Sequence, residues 1–277
     1  MRVDEALSRA TGILPVRRGL PDPHREALFL LAAASGLEEI QLRIHPEQGL
    51  PPEVEEQFFR WIERRSAGEP AEHIVGHCSF WGRTFRVSPE VLIPRPETEL
   101  MIQAVLSFDL PPNARVADIG TGSGCLAVTL AVERPGWDIT ATDRSPAALA
   151  IARTNAAAHD ASILWILTDL AGSCGTPFDL IVANLPYVPT GWLKDLGPEI
   201  EREPRSALDG GEDGLDLIRR LIEDLPQILN PGGLCLLELA EDQADTVEDL
   251  GLKQRLVPRG RLRDVGGCDR VVILGRA

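Results

Sequence analysis

The chain has 277 residues, 44% of them hydrophobic and 25% charged, the balance of a soluble globular protein long enough for two domains and an apolar core of its own. Its 42 acids against 28 bases leave a formal charge of -14, which argues against affinity built on broad neutralisation of nucleic-acid phosphates. Five cysteines (Cys78, Cys125, Cys174, Cys235 and Cys268) form no C-x-x-C pair and have no histidine at ligand spacing, so they read as reduced, mostly buried thiols rather than a disulfide framework or metal site.

The N-terminal MRVDEALSRATG carries Asp4 and Glu5 and no apolar h-region, so no signal peptide is expected. The longest apolar stretch near the start, 27–36, is well short of the roughly 20 residues that span a bilayer. A cytoplasmic protein, without a membrane segment, is expected. The first helix with clear boundaries begins at Asp22-Pro23, an N-cap followed by an N1 proline, and stops at Gly36. A second follows Pro51-Pro52, sets Val54, Phe58, Trp61 and Ile62 along one face, and ends at Gly68 with Pro70. Residues 1–72 thus read as a small helical bundle with no catalytic spacing, suited to recognising a partner. From residue 73 the pattern changes. HIVGHCSFWGRTFRVSP alternates apolar and polar residues about Gly82, which predicts a β-hairpin; with the extended VLIPRPE it makes 73–96 a linker. His73 and His77 share no helical face there, so no metal site is expected. Arg95, between two prolines, either pins this linker or reaches a ligand carboxylate.

Residues 97–277 read as an α/β domain. Strands at 115–119, 138–143, 163–167, 179–184 and 234–239 alternate with helices, which predicts a parallel sheet covered on both faces. QRLVP and RVVILGR add two strands, expected as an antiparallel pair closing one edge. The architecture is a seven-stranded, doubly wound, Rossmann-like sheet.

The sharpest loop is Gly120-Thr121-Gly122-Ser123-Gly124, directly after the first strand of that sheet and before an apolar helix. Alternate glycines let the backbone turn tightly and approach a ligand where a Cβ would collide. Asp143 ends the next strand, placed to accept hydrogen bonds from ribose hydroxyls. Dinucleotide sites use G-x-G-x-x-G; here the spacing is G-x-G-x-G, preceded by Asp118, which would repel an anion. No G-K-[ST] phosphate loop is present. A cationic, phosphate-free adenosine ligand such as S-adenosylmethionine suits this surface better. Asp169, after the third strand, either accepts from the adenine amine or is a loop acid or helix cap.

Strand four ends in Asn184-Leu185-Pro186-Tyr187. The Asn184 side-chain oxygen and the Leu185 carbonyl are two acceptors, Pro186 stiffens the turn that aims them, and Tyr187 offers a flat face. Such a pocket suits a planar group bearing NH2. Its nitrogen is a poor nucleophile, and two acceptors would orient it and stabilise the charge that grows on it during methyl transfer. Glu238, in the apolar run LCLLELA, is expected to be a hydrogen-bonded structural acid, and the acid-rich PEIEREP run with Gly210-Gly211 a mobile flap of solvated surface.

With both motifs in hand, the chain resembles the class I S-adenosylmethionine-dependent methyltransferases, and among them the peptide chain release factor N5-glutamine methyltransferases (the PrmC/HemK family). RRSAGEPAEHIVGHCSFWGRTFRVSPEVLIPRPETEL is similar to that family's linker, DIGTGSGCLAVTLA to its cofactor loop, and PEIEREPRSALDGGEDGLDLIRRLI and RDVGGCDRVVILGR to later segments. The resemblance implies that Gly120, Thr121, Gly122, Ser123, Gly124, Asp143, Asp169 and Leu170 bind S-adenosyl-L-methionine, with S-adenosyl-L-homocysteine as product. It implies that Asn184 meets cofactor and substrate, and that Asn184 through Tyr187 hold the glutamine amide of the Gly-Gly-Gln motif of class 1 release factors. The helical domain would dock the release factor; a monomer, with no direct nucleic-acid contact and no metal, is expected. The family's motif is N-P-P-Y, and this chain has Leu185 in place of the first proline, so the turn loses one locked φ. Leu170 stands where some members carry tryptophan. The competing readings are an adenine-N6 methyltransferase, which presents the same NH2-on-a-plane chemistry but must flip a base, and a catalytically weak protein that only docks the release factor. A dehydrogenase comes last.

Overall fold

The computed structural model describes residues 1–16, 22–172, 175 and 177–277, and the chain divides into two units. Met1–Gly76 and Gly197–Arg202 form the first, His77–Leu196 and Glu203–Ala277 the second.

The first unit is helical: α1 (Val3–Ile13), α2 (Pro23–Ser35), α3 (Glu39–Ile44), α4 (Pro52–Ser66) and α5 (Ala71–Val75). The Asp22 carboxylate accepts from the backbone N–H of His24 (2.9 Å) and of Arg25 (3.2 Å), and Gly36 closes α2 at φ 69°, as the sequence signals for this helix require. Phe58 and Ile62 of α4 pack with Leu28, Leu30 and Leu31 of α2 and with Val3, Ala6 and Ala10 of α1. The buried face of α4 continues to Arg65, whose side chain is 1% exposed. Its guanidinium donates to Glu26 Oε1 through Nε (3.1 Å) and Nη2 (2.9 Å), and to Glu199 Oε1 through Nη1 (2.9 Å). The β pattern expected from residue 73 starts later. Pro70 starts α5 and Gly76 ends it at φ 81°, so the strand begins at His77.

The second unit opens with the hairpin β1 (His77–Phe80) and β2 (Arg83–Arg86), His77 opposite Arg86, turning on Trp81 and Gly82, both at positive φ. A seven-stranded sheet follows: β3 (Arg115–Ile119), β4 (Asp138–Asp143), β5 (Leu164–Leu167), β6 (Phe178–Ala183), β7 (Leu229–Glu238), β8 (Leu256–Arg263) and β9 (Asp269–Arg276). Their order is β5-β4-β3-β6-β7-β9-β8. The first five strands are parallel, and β9 runs antiparallel between β7 and β8.

Strand alternation sorts the core into two layers. Val116, Leu180, Val182, Leu236 and Val271 face α6 (Glu99–Ser107), α7 (Cys125–Glu133) and α8 (Pro146–Ala158). Ala117, Ile119, Ile181, Ala183, Cys235, Leu237 and Val272 face α9 (Asp216–Ile228) and α10 (Ala244–Lys253). Cys78, Cys125 and Cys235 are buried thiols outside any disulfide and Cys268 is a half-buried one; Cys174 lies outside the described residues. Among the described residues no helix is long and apolar enough to cross a membrane.

Strand order reverses beside β3, with β4 on one flank and β6 on the other. In open parallel sheets that reversal opens a crevice at the carboxyl ends of the strands.

Candidate active site

A cleft of about 950 Å³, its open mouth included, occupies that crevice. Gly120, Thr121, Gly122 and Ser123 from the loop after β3 line it, with Asp143 at the end of β4, Asp169 and Leu170 after β5, and Asn184, Leu185 and Pro186 after β6. Gly124 and Tyr187, two further expected site residues, are not among the residues that line it. Gly124, at φ 81°, is the N-cap of α7.

The glycine loop is held by its own acids. Asp118 is 1% exposed; its carboxylate accepts from Thr121 Oγ1 (2.6 Å) and from the Ala127 backbone N–H (3.1 Å). Burial pushes its pKa up to about 7, against those hydrogen bonds. Asp118 therefore braces the loop from beneath, a role its place in the sequence did not disclose. Asp143 accepts from the Gly122 N–H (2.9 Å) through one oxygen and from the Ser145 N–H (2.8 Å) through the other, tying the loop to the end of β4. Gly120 has φ +75°, and a Cβ on it would come within 2.8 Å of Leu185 Cδ2. The Leu185 side chain, 4% exposed, thus packs directly on the glycine loop. Asp169 is half exposed and pairs with Arg220 Nη2 at 2.6 Å. Leu170, a non-glycine residue at φ 50°, receives the Thr142 hydroxyl on its carbonyl (2.9 Å).

Around the motif after β6, Asn184 Nδ2 donates to Thr98 Oγ1 (3.1 Å), and the Tyr187 hydroxyl donates to Glu238 Oε1 (3.4 Å). The Tyr187 carbonyl accepts from Gln243 Nε2 (2.9 Å). Burial, first, and then the neighbouring Glu238 charge raise the phenol's pKa, so it stays a donor. Glu238 itself is 2% exposed, and burial moves its carboxyl up to about 7.

Several neighbours carry no motif. Thr98 lines the cleft, as do Glu90, Val91, Leu92 and Pro94 of the extended linker. The only local signal for Thr98 was its place behind the two prolines. Arg95 pairs with Glu203, which also accepts from the Ile93 N–H (3.0 Å), so of its two expected roles the structure shows the pinning of the linker. The acid-rich run is correspondingly less solvated than expected. Glu199 and Glu203 are buried, and Gly210 fits so closely that a Cβ would come within 2.6 Å of the Pro186 carbonyl.

The chain matches two family models, the PrmC N-terminal domain over residues 5–76 and the methyltransferase small domain over residues 97–213. It is similar to release factor glutamine methyltransferases of Cereibacter sphaeroides (42% identical, covering 98% of each chain) and Moorella thermoacetica (41%, covering 100% of this chain and 99% of that one). That of Geobacter sulfurreducens is 40% identical over 92% of this chain and 90% of its own length. Among solved structures, a methyltransferase from Pyrococcus furiosus superposes with a TM-score of 0.54 (19% identity, 72% of this chain and 91% of that one). A ribosomal protein L11 methylase from Lactobacillus delbrueckii gives 0.53 (23%, 69% and 84%). These last two share the fold.

Sheet order, crevice and glycine loop define an S-adenosylmethionine-dependent methyltransferase. The lining fits that cofactor. Among the described residues its charged groups are the carboxylates of Glu90, Asp118, Asp143 and Asp169 and the guanidinium of Arg144, a surface for hydroxyl, amino and sulfonium groups rather than for phosphate. Within this class the chain belongs to the release factor glutamine methyltransferase family.

Proposed function

We propose that the protein transfers a methyl group from S-adenosyl-L-methionine to the side-chain amide nitrogen (N5) of the glutamine in the Gly-Gly-Gln motif of class 1 peptide chain release factors. One observation carries the reading: a chain 42% identical end to end to a release factor glutamine methyltransferase brings its glycine loop and Asn184 to one cleft.

Gly120 to Ser123 present bare backbone to the cofactor, with Gly124 setting the start of α7 behind them. Asp143 takes the ribose hydroxyls with the lone pairs that Gly122 and Ser145 leave free, and Asp169 and Leu170 flank the adenine. The bound cofactor supplies an electrophilic methyl group on its sulfonium. Asn184 Oδ1 and the Leu185 carbonyl accept the two N–H groups of the glutamine amide and aim its nitrogen at that methyl group. They also stabilise the positive charge that develops on nitrogen, so no strong general base is required to begin the transfer, and the methylated amide sheds its extra proton to solvent afterwards. Pro186 holds the turn, and Tyr187, anchored on Glu238 and Gln243, backs it. Residues 1–72 serve as the recognition domain, 73–96 as the linker and 97–277 as the catalytic domain. The protein works as a cytoplasmic monomer on a protein substrate without contacting nucleic acid, consistent with its charge of -14.

The test is mass spectrometry of purified release factor after incubation with the protein and S-adenosylmethionine, beside an Asn184→Ala control. One methyl group mapped to the Gly-Gly-Gln glutamine, and lost in the control, is the expected result. An unmodified release factor with cofactor bound would overturn it, and labelled methyl transfer to DNA or RNA would then separate an adenine methyltransferase from a docking protein.

A further inference from the structure

A side-chain amide can sit in two orientations of nearly the same shape, related by a half-turn about its last bond. Only one of them presents the Asn184 oxygen to a substrate N–H; the other sets donor against donor. Something must choose between them.

We propose that Thr98 and Glu238 make that choice: they are positioning residues that lock the Asn184 amide with its oxygen turned toward the substrate nitrogen. The inference rests on Asn184 holding the substrate amide, as proposed above.

Asn184 Nδ2 lies 3.1 Å from Thr98 Oγ1, and Thr98 is 2% exposed. A hydroxyl has a single proton. If Thr98 spent it on Asn184, it would hold the amide oxygen and turn the NH2 toward the substrate. If that proton goes elsewhere, Thr98 can only accept, and the amide must offer Nδ2. The other claimant is Glu238. The register that sets Ala183 beside Leu237 brings Asn184 and Glu238 to the same end of neighbouring strands. Glu238 receives Tyr187 on Oε1, while its buried Oε2 has no hydrogen-bond partner. The Thr98 hydroxyl acts on this carboxylate and favours its charged form. Above pH 7, where this carboxyl has lost its proton, it can only accept. It therefore draws the Thr98 proton, the Thr98 oxygen draws Asn184 Nδ2, and Oδ1 is left for the substrate. Among the described residues no protein group donates to that oxygen. Glu238 thus orders both polar side chains of the motif after β6, Asn184 through Thr98 and Tyr187 directly.

The test measures kcat, release-factor KM and cofactor Kd for Thr98→Val, Thr98→Ser, Glu238→Gln, the Thr98→Val/Glu238→Gln double variant and Asn184→Ala, each checked for a native melting transition. Thr98→Val fills the same space and removes the relay. It should lower kcat roughly 10- to 100-fold, the scale of a misaligned reacting group, with KM and Kd within about 3-fold of the parent. Thr98→Ser should restore most of that loss. In Glu238→Gln the new NH2 can donate to Thr98 and reverse the chain, so kcat should fall without a matching change in cofactor Kd. The double variant should lose little more than Thr98→Val alone. If Thr98→Val does not fold, Thr98→Ala carries the same prediction. Unchanged kcat in the Thr98 variants while Asn184→Ala abolishes transfer would overturn the relay alone, as would losses that simply add in the double variant. Full activity in Asn184→Ala would overturn the site reading beneath it.

Discussion

A methyl group at residue 120 would meet two obstacles. The backbone there has φ +75°, which costs an L side chain about 1–2 kcal/mol, and the new Cβ would sit 2.8 Å from Leu185 Cδ2. Gly120→Ala should therefore displace the glycine loop and raise the cofactor Kd by roughly 10-fold or more, measured by titration calorimetry. An unchanged Kd would show that the loop bears no cofactor. Leu185 separates side chain from backbone. If its carbonyl is what receives the substrate, Leu185→Ala leaves the chemistry in place and empties a buried site. It should destabilise the protein by about 2–4 kcal/mol in urea unfolding. Its kcat in labelled-methyl transfer should fall by less than about 10-fold, the scale of an indirect effect. A loss as complete as that of Asn184→Ala would mean that the leucine side chain itself shapes the substrate pocket. The glycine loop and Asn184 were legible in the sequence because each is a local pattern at the end of a strand. Thr98 was not, since its partner lies 86 residues away, and no local pattern reports a hydrogen bond across such a gap.

Helix α4 shows the same limit one level up. Its apolar spacing marked Phe58 and Ile62 as core, and both are fully buried. The same face runs on to Arg65, which hydropathy counts as surface. What makes its burial tolerable is the Glu26 and Glu199 pair, one on α2 and the other far along the chain. Burying a guanidinium costs several kcal/mol unless it is matched, and here its forked donors reach both carboxylates. Removing the cation strands the two acids, so Arg65→Met should destabilise the helical unit by about 3–5 kcal/mol in chemical denaturation, and Arg65→Lys should recover only part of it because an ammonium lacks the fork. A loss within about 1 kcal/mol, the worth of an exposed pair, would show that the triad is open to solvent. The helices and the sheet were legible through their periods, 3.6 and 2. The displaced start of β1 was not, because a helix of five residues between Pro70 and Gly76 is too short for a period to show.

At the scale of the whole molecule the buried acids set the response to pH. Exposed or partly exposed carboxylates are held below their usual range, Asp4 by Arg2, Glu69 by Arg64, Glu248 by Arg261 and Asp264 by Arg270. A depressed folded-state pKa adds stability above the unfolded value and loses it as pH falls, so these groups steepen the acid limb. Asp118 and Glu238 act in the opposite sense. Burial raises both to about 7, opposed at Asp118 by Thr121 and the Ala127 N–H and reinforced by the Asp143 charge. At Glu238 it is opposed by Thr98, Tyr187 and Arg270 and reinforced by Glu97. Between about pH 4 and 7 the folded chain therefore holds protons that the unfolded chain has released, and stability declines as pH rises through that window. Repulsion among the surplus acids of a chain with charge -14 grows in the same window and pushes the same way. The expected stability maximum lies on the acid side of neutrality, near pH 5, with a fall toward pH 7 on the order of a few kcal/mol. Urea unfolding at stepped pH measures it, and the Asp118→Asn/Glu238→Gln double variant assigns it. That variant keeps acceptors at both positions but cannot ionise, so its curve should be flatter over the window. A parental slope in the variant would move the cause from the two buried carboxyls to the acidic surface, where added salt, which screens exposed charge and leaves buried groups largely untouched, should then remove the decline.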